Sequence, residues 1–346
     1  MISISRKILG SEHDLVYENG FSWGNIPRDE LNLGPGQNSI IPLLNIFGSP
    51  EYSFVDKKYL RMASILGLKK PSFYKLIGKN HLKNIKKTID QLLPTIERIK
   101  SSRYLEYYQK TQNFLYSLKK VEADKLRLAS LVAMKTNYKD IKFSNGHILP
   151  PKYHRDKTKT GRLTVSSGIP ILTMKKEHRN IMKARQLDYS AMEPRLLLAL
   201  SGKYIEGDLY EWVASQLSIN KDRSYAKIAV ISSMYGSKMV PEITELFGLN
   251  VWIDQLEQSV QEGTLESYWG RPIIVGNTKG HKLLALWLQS SAVDAALLGF
   301  ANLFKERKDL IPHCVIHDAC IFNGINVPKY INIDKNIKLP IECTEL

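Results

Sequence analysis

The sequence predicts an α+β fold, and three features point to it. Beyond residue 155, short apolar runs of strand length, ARQLDYS and CVIHDACIF, are mixed with longer helical patterns such as LYEWVASQL, RSYAKIAVISSMYG and LLALWLQSSAVDAALLGFANLF. The mixture is irregular, whereas a parallel sheet would show strands and helices in regular alternation. CVIHDACIF also flanks a central His-Asp with apolar residues, as in a hairpin that presents Asp318 at its turn.

A chain of 346 residues can bury a substantial core in one large or a few small domains. Its 43% hydrophobic and 24% charged residues place it among ordinary globular proteins rather than disordered ones. It has no uninterrupted apolar run of about eighteen residues, so no transmembrane helix is expected. The N-terminus lacks an apolar core and carries Glu12, Asp14 and Glu18, so neither a secretory signal nor a transit peptide is expected. Cys314, Cys320 and Cys343 form no CxxC pair. That argues against a disulfide framework or structural zinc site and for a reducing, cytoplasmic setting.

The net charge is +15, and much of it is concentrated. Lys69 to Lys142 holds 18 Lys and Arg against 6 Asp and Glu. Such a segment suits a polyanionic partner, because Lys and Arg displace counterions from phosphates. A solvated helical face without a partner has the same composition.

Taken in order, residues 1 to about 65 carry turn signals such as NLGPGQNS and FGSPEY but no recognisable chemistry. Residues 80–135 read as long helices, with no glycine from Asn80 to Asn145 and with Pro94 and Ser101-Ser102 as breaks. FSNGHILPPKYH, at 143–154, reads as a linker.

Three constellations beyond it carry chemistry. In LDYSAMEPRLLLALSG, an apolar strand ends at Asp188 and a helix follows. A carboxylate at a strand end with a main-chain carbonyl beside it suits magnesium, although Asp188 could equally be a plain helix cap. In DRSYAKIAVISSMYGS, residues Arg223, Lys227, Ile231 and Tyr235 are spaced by four. On a helix they form one stripe that drifts roughly 40° per step, with its cations near the positive helix end and Gly236 as terminator. Such a face could grip a triphosphate, and an amphipathic surface helix with snorkelling cations would look alike. The third is the hairpin with Asp318. Opposite Asp188 it would complete a two-metal site; alone it is an ordinary turn. Two further elements are the basic, glycine-hinged turn TKTGRLTVSSG with Arg162, and Gln289 on an otherwise apolar helix.

In order, these elements resemble the family A DNA polymerases of the bacterial DNA polymerase I type. TGRL at 160–163 is similar to the family's TGRLSS turn, and DYSAMEPRLLLALSG to its motif A, DYSQIELR-x-LAHLSG. RSYAKIAVISSMYG resembles motif B, R-xxx-K-xxx-[FY]-xxx-YG. LQSSAVDAALL is similar to the QGTAAD segment, and VIHDA to motif C, VHDE. The resemblance covers roughly residues 155–325.

The resemblance implies a right-hand polymerase fold with an antiparallel palm sheet, helical fingers and a basic helical thumb. It divides the chain into an N-terminal segment (1–65), thumb (66–145), first palm part (146–202), fingers (203–285) and second palm part (286–346). Asp188 and Asp318 would ligate two Mg²⁺ ions, helped by the Tyr189 carbonyl. Arg223 and Lys227 would hold the incoming dNTP, with Lys227 among the catalytic residues. Tyr189 and Ile231 would line the nucleotide site, Tyr235 would sit by the templating base, and Glu193 would disfavour a ribose 2′-hydroxyl. Arg162, Gln289 and His317 would contact the primer-template DNA.

The chain departs from the family at three positions. Ile231 stands where Phe or Tyr is usual, Ala319 replaces the motif C glutamate, and Pro194 follows Glu193. Only about 65 residues precede the basic helices, where a 3′–5′ exonuclease domain would need on the order of 100–200, so proofreading is expected to be absent from this chain and separate exonuclease or replication proteins could supply it. The implied reaction is DNA synthesis from dNTPs. A sugar-tolerant polymerase and an inactive primer-template scaffold are the alternatives.

Overall fold

The structure, a computed structural model, describes residues 2–4, 14–17, 21–24, 103–134, 138, 141–154, 158–218, 222–261 and 263–346. Most of the predicted N-terminal segment, and the part of the basic helical stretch before residue 103, lie outside the described residues. The chain forms two compact units, Met1–Gln109 and Lys110–Leu346. In the first, β1 (Ile2–Ile4), β2 (Asp14–Tyr17) and β3 (Phe21–Gly24) make an antiparallel sheet in that order. The boundary between the units falls inside helix α1 (Arg103–Ser117).

The second unit is a mixed α+β structure. Its small strands are β4 (Val121–Glu122), β5 (Phe143–Ser144), β6 (His147–Ile148), β7 (Lys152–His154) and β8 (Thr164–Ser167). Helix α2 (Lys125–Met134) starts at Asp124, whose carboxylate accepts from the Leu126 and Arg127 amides at 2.9 and 3.0 Å. Residues 143–154, expected as a linker, thus form strands. The helical stretch expected over 80–135 is interrupted by β4.

The central sheet has five antiparallel strands in the order β12-β13-β9-β15-β14. They are β9 (Arg185–Tyr189), β12 (Ile311–Ile316), β13 (Ala319–Asn323), β14 (Tyr330–Asn332) and β15 (Lys338–Glu345). One face packs on α8 (Gly280–Glu306), a 27-residue helix with most of its surface buried. Alternation along the strands aims Tyr189 and Phe322 at it, with ring centroids 5.2 Å from Phe300 and 6.3 Å from Phe304. By length and composition α8 could cross a bilayer, but it serves here as the core helix. The other face meets a second apolar cluster in which Cys314, Ile316, Ala319 and Ile321 pack with Val121, Leu128, Tyr138, Ile148 and Ile181.

Between β9 and α8 lie α3 (Met192–Leu200), α4 (Leu209–Gln216), α5 (Arg223–Tyr235), α6 (Pro241–Leu246) and α7 (Leu249–Ser259). A short hairpin of β10 (Thr264–Glu266) and β11 (Pro272–Ile274) follows. Pro194 is the third residue of α3, where an amide would have no intrahelical acceptor, so proline costs the helix no bond. Gly236 ends α5 at φ +71°, and a Cβ there would lie 2.6 Å from His281 Cβ at the start of α8.

Candidate active site

Two carboxylates define the site. Asp188 is in β9, and Asp318 is the second residue of the two-residue loop joining β12 to β13. The loop's first residue, His317, takes φ +53°, as a tight hairpin turn requires. Ala319 pairs with Asp188 across the strands, so the loop lies beside the end of β9, and the Tyr189 amide donates to the Asp318 carbonyl at 3.2 Å.

Burial, then the Asp318 charge, pushes the Asp188 carboxyl up to about 6, and Glu342 adds to the effect. Burial likewise raises Asp318, opposed by His317 and Arg162. His317 is exposed on its turn, and partial desolvation followed by Arg162 holds its imidazole below the usual range. The Tyr189 ring points to the opposite face, where its hydroxyl abuts Gly299 so closely that a Cβ would overlap it. Tyr189 therefore offers the site its main chain only.

A second cluster joins Arg162, Glu193, Tyr235 and Gln289. The Tyr235 hydroxyl donates to Glu193 Oε2, and Arg162 Nη2 is 3.5 Å from Glu193 Oε1. Burial raises the Glu193 carboxyl, and Tyr235 and Arg162 pull it back. Burial and then the Glu193 charge raise the Tyr235 phenol, while a hydrogen bond with the Gln289 side chain works the other way. Four residues from four separate segments thus meet at one point.

On α5, Arg223, Lys227 and Ile231 are exposed and Tyr235 is half-buried, while Ala226, Ala229, Val230 and Met234 face the core. The stripe is therefore a true solvent face. At its start, Arg223 Nη2 and Nε donate to Asp208 Oδ2 at 2.7 and 3.0 Å. The Arg223 and Lys227 head groups lie 5.6 and 6.0 Å from the Tyr210 ring centroid.

Several residues around the carboxylates and the cation stripe were not expected from the sequence. Gln186 Nε2 donates to Asp188 Oδ2 at 3.4 Å and Gln186 Oε1 accepts from Arg179 Nη1 at 3.1 Å, so a neutral amide links a cation to the carboxylate. Glu342 is the direct cross-strand partner of Asp188 on β15, hence on the same sheet face. Asp208 and Tyr210 hold the cations of α5. Gln186, two residues before Asp188, was the one with a local signal, since alternation puts both side chains on one face.

The donor chemistry fits magnesium. Asp188 and Asp318 are hard oxygen donors that disfavour each other's charge, so a cation between them would relieve both. Among the described residues no group of three or more His, Cys, Asp and Glu side chains could hold a metal ion. Magnesium suits such a sparse set, because it keeps waters and takes ligands from bound phosphates. The residues available to hold it are Asp188, Asp318 and the Tyr189 carbonyl.

No protein-family profile matches the chain, and no curated protein matches it by sequence. Among solved structures, it is similar to the POL domain of Pol1 from M. smegmatis, in complex with DNA primer-template and dNTP, at 17% identity and a TM-score of 0.44. The match covers 63% of this chain and 50% of that one, so the chain spans half the length of that polymerase domain.

Proposed function

We propose that this chain is a template-directed, primer-dependent DNA polymerase. In this reading the five-stranded sheet is the palm, residues 203–285 are the fingers and the basic stretch 66–145 is the thumb. The observation that carries it is the convergence of the ordered motifs. Asp318, on the β12–β13 turn, lies beside the end of the strand that carries Asp188, and the cation stripe of α5 ends in Tyr235, whose hydroxyl binds Glu193 just beyond Asp188.

Two Mg²⁺ ions at the carboxylates would supply Lewis-acid activation of the primer 3′-hydroxyl and charge neutralisation at the leaving group. Arg223 and Lys227 bind the triphosphate of the dNTP and orient its α-phosphorus. The 3′-oxygen forms a bond to that phosphorus as the bond to the bridging oxygen of the β-phosphate breaks. Pyrophosphate leaves with the electron pair, and the hydroxyl proton passes to water. Glu193, fixed by Arg162 and Tyr235, stands against a ribose 2′-hydroxyl. Gln289, Arg162 and His317 hold the primer-template end.

A second reading, a polymerase that also accepts ribonucleotides, is favoured by Ile231, whose aliphatic side chain is exposed on the stripe. The test is extension of a labelled primer on a DNA template with Mg²⁺ and either dNTPs or rNTPs. Templated extension with dNTPs alone is expected. Equal extension with both selects the second reading. Binding of primer-template without extension by either would leave a scaffold role and overturn the proposal.

A further inference from the structure

Arg271 closes the turn between β10 and β11, and its side chain is buried. So is Asp294, in the middle of α8. Arg271 Nε donates to both Asp294 oxygens, at 3.0 and 3.2 Å, and Ser267 Oγ donates to Oδ2 at 2.7 Å. Burying an ion pair is a poor way to gain stability, because desolvation offsets most of the attraction. What such a pair does well is hold segments in one arrangement.

The segments held are informative. Arg271 Nη2 donates to the Thr160 carbonyl at 2.8 Å and to the Ser290 carbonyl at 3.1 Å. Thr160 precedes Arg162 by two residues, and Ser290 directly follows Gln289. Between Thr160 and Arg162, Gly161 takes φ +69° beside the guanidinium. A Cβ there would lie 2.6 Å from Arg271 Cζ and within 2.9 Å of both terminal nitrogens. A side chain at position 161 would have to displace the guanidinium.

We propose that Arg271 and Asp294 are positioning residues for nucleic acid. They form a buried strut that sets Arg162 and Gln289 in register, so that both act on the primer-template end through those two residues. This inference rests on the polymerase reading, in which Arg162 and Gln289 touch the primer-template.

The test is a double-mutant cycle on primer-template affinity, read by fluorescence anisotropy, in two backgrounds: wild type and the Arg162→Ala, Gln289→Ala double variant. In the wild type, Arg271→Lys should weaken binding by about tenfold, and in the double variant by less than about twofold. Gly161→Ala, which removes no charge but whose Cβ would displace the guanidinium, should behave the same way and carries the test if Arg271→Lys fails to fold. Additive losses, or unchanged affinity in a folded Gly161→Ala variant, would overturn the strut alone. A wild-type protein that does not bind primer-template would overturn the polymerase reading and the strut together.

Discussion

The hydroxyl of Tyr235, at the end of α5, donates to Glu193 in the first turn of α3. This bond ties the helix proposed to hold the triphosphate to the residue proposed to select the sugar. Either Glu193→Ala or Tyr235→Phe should loosen the selection. Net hydrogen bonds to charged groups contribute about 1.5–3 kcal/mol, so the ratio of rNTP to dNTP incorporation should rise by about 10- to 100-fold. Single-nucleotide incorporation kinetics with matched dNTP and rNTP pairs check this.

The Asp188 carboxyl, pushed up to about 6, predicts how the metal-free protein meets a cation. Metal binds the ionised form, so Mn²⁺ affinity should be flat above pH 7 and fall by up to about tenfold per pH unit below 6. An Asp at its ordinary value of 3.8 would show no fall until far lower pH. Paramagnetic titration with Mn²⁺ between pH 5 and 8 distinguishes the two.

The same shift acts on stability. Because the folded pKa lies above the unfolded one, the folded state holds more protons between pH 4 and 6, and stability falls as pH rises through that window. Asp188→Asn removes the penalty. At pH 8 without metal it should melt about 2–5 °C above wild type while losing templated extension. A melting temperature below wild type at pH 8 would contradict this.

Asp208 holds Arg223 through two hydrogen bonds, and an incoming triphosphate must compete with it. Asparagine caps a helix as well as aspartate does, so Asp208→Asn should keep α4 while releasing the cation. The expected outcome is a dNTP KM lowered about two- to fivefold, in line with a weak exposed ion pair. Steady-state extension kinetics measure it.

Ala319 stands where the resemblance expects a glutamate, and it is 3% exposed in an apolar cluster with Ile316, Ile321 and Ile181. Restoring the carboxylate would bury it beside Asp188. Ala319→Glu should therefore lower the melting temperature by about 5 °C or more without raising the rate. Thermal melting and primer extension on the same sample test both parts.

Much of the site was legible in the sequence because its signals are local. A strand that carries Asp188 near its end, a tight hairpin at Asp318 and a four-residue stripe on α5 all follow from nearest-neighbour patterning. The strands β4 to β7 were not legible, since two or three residues are too few to show alternation. Glu342 and the strut of Arg271 and Asp294 were hidden for another reason. Their importance lies in register and in contacts between distant segments, which hydrophobic patterning does not encode. The buried environment of Ala319 was likewise invisible until the second apolar cluster was seen.

The most direct measurement is templated primer extension with Mg²⁺ and dNTPs by wild type and Asp318→Asn, with primer-template affinity measured on both. The account predicts extension by wild type, none by the variant, and affinities equal within about twofold. Extension by Asp318→Asn at the wild-type rate would contradict it.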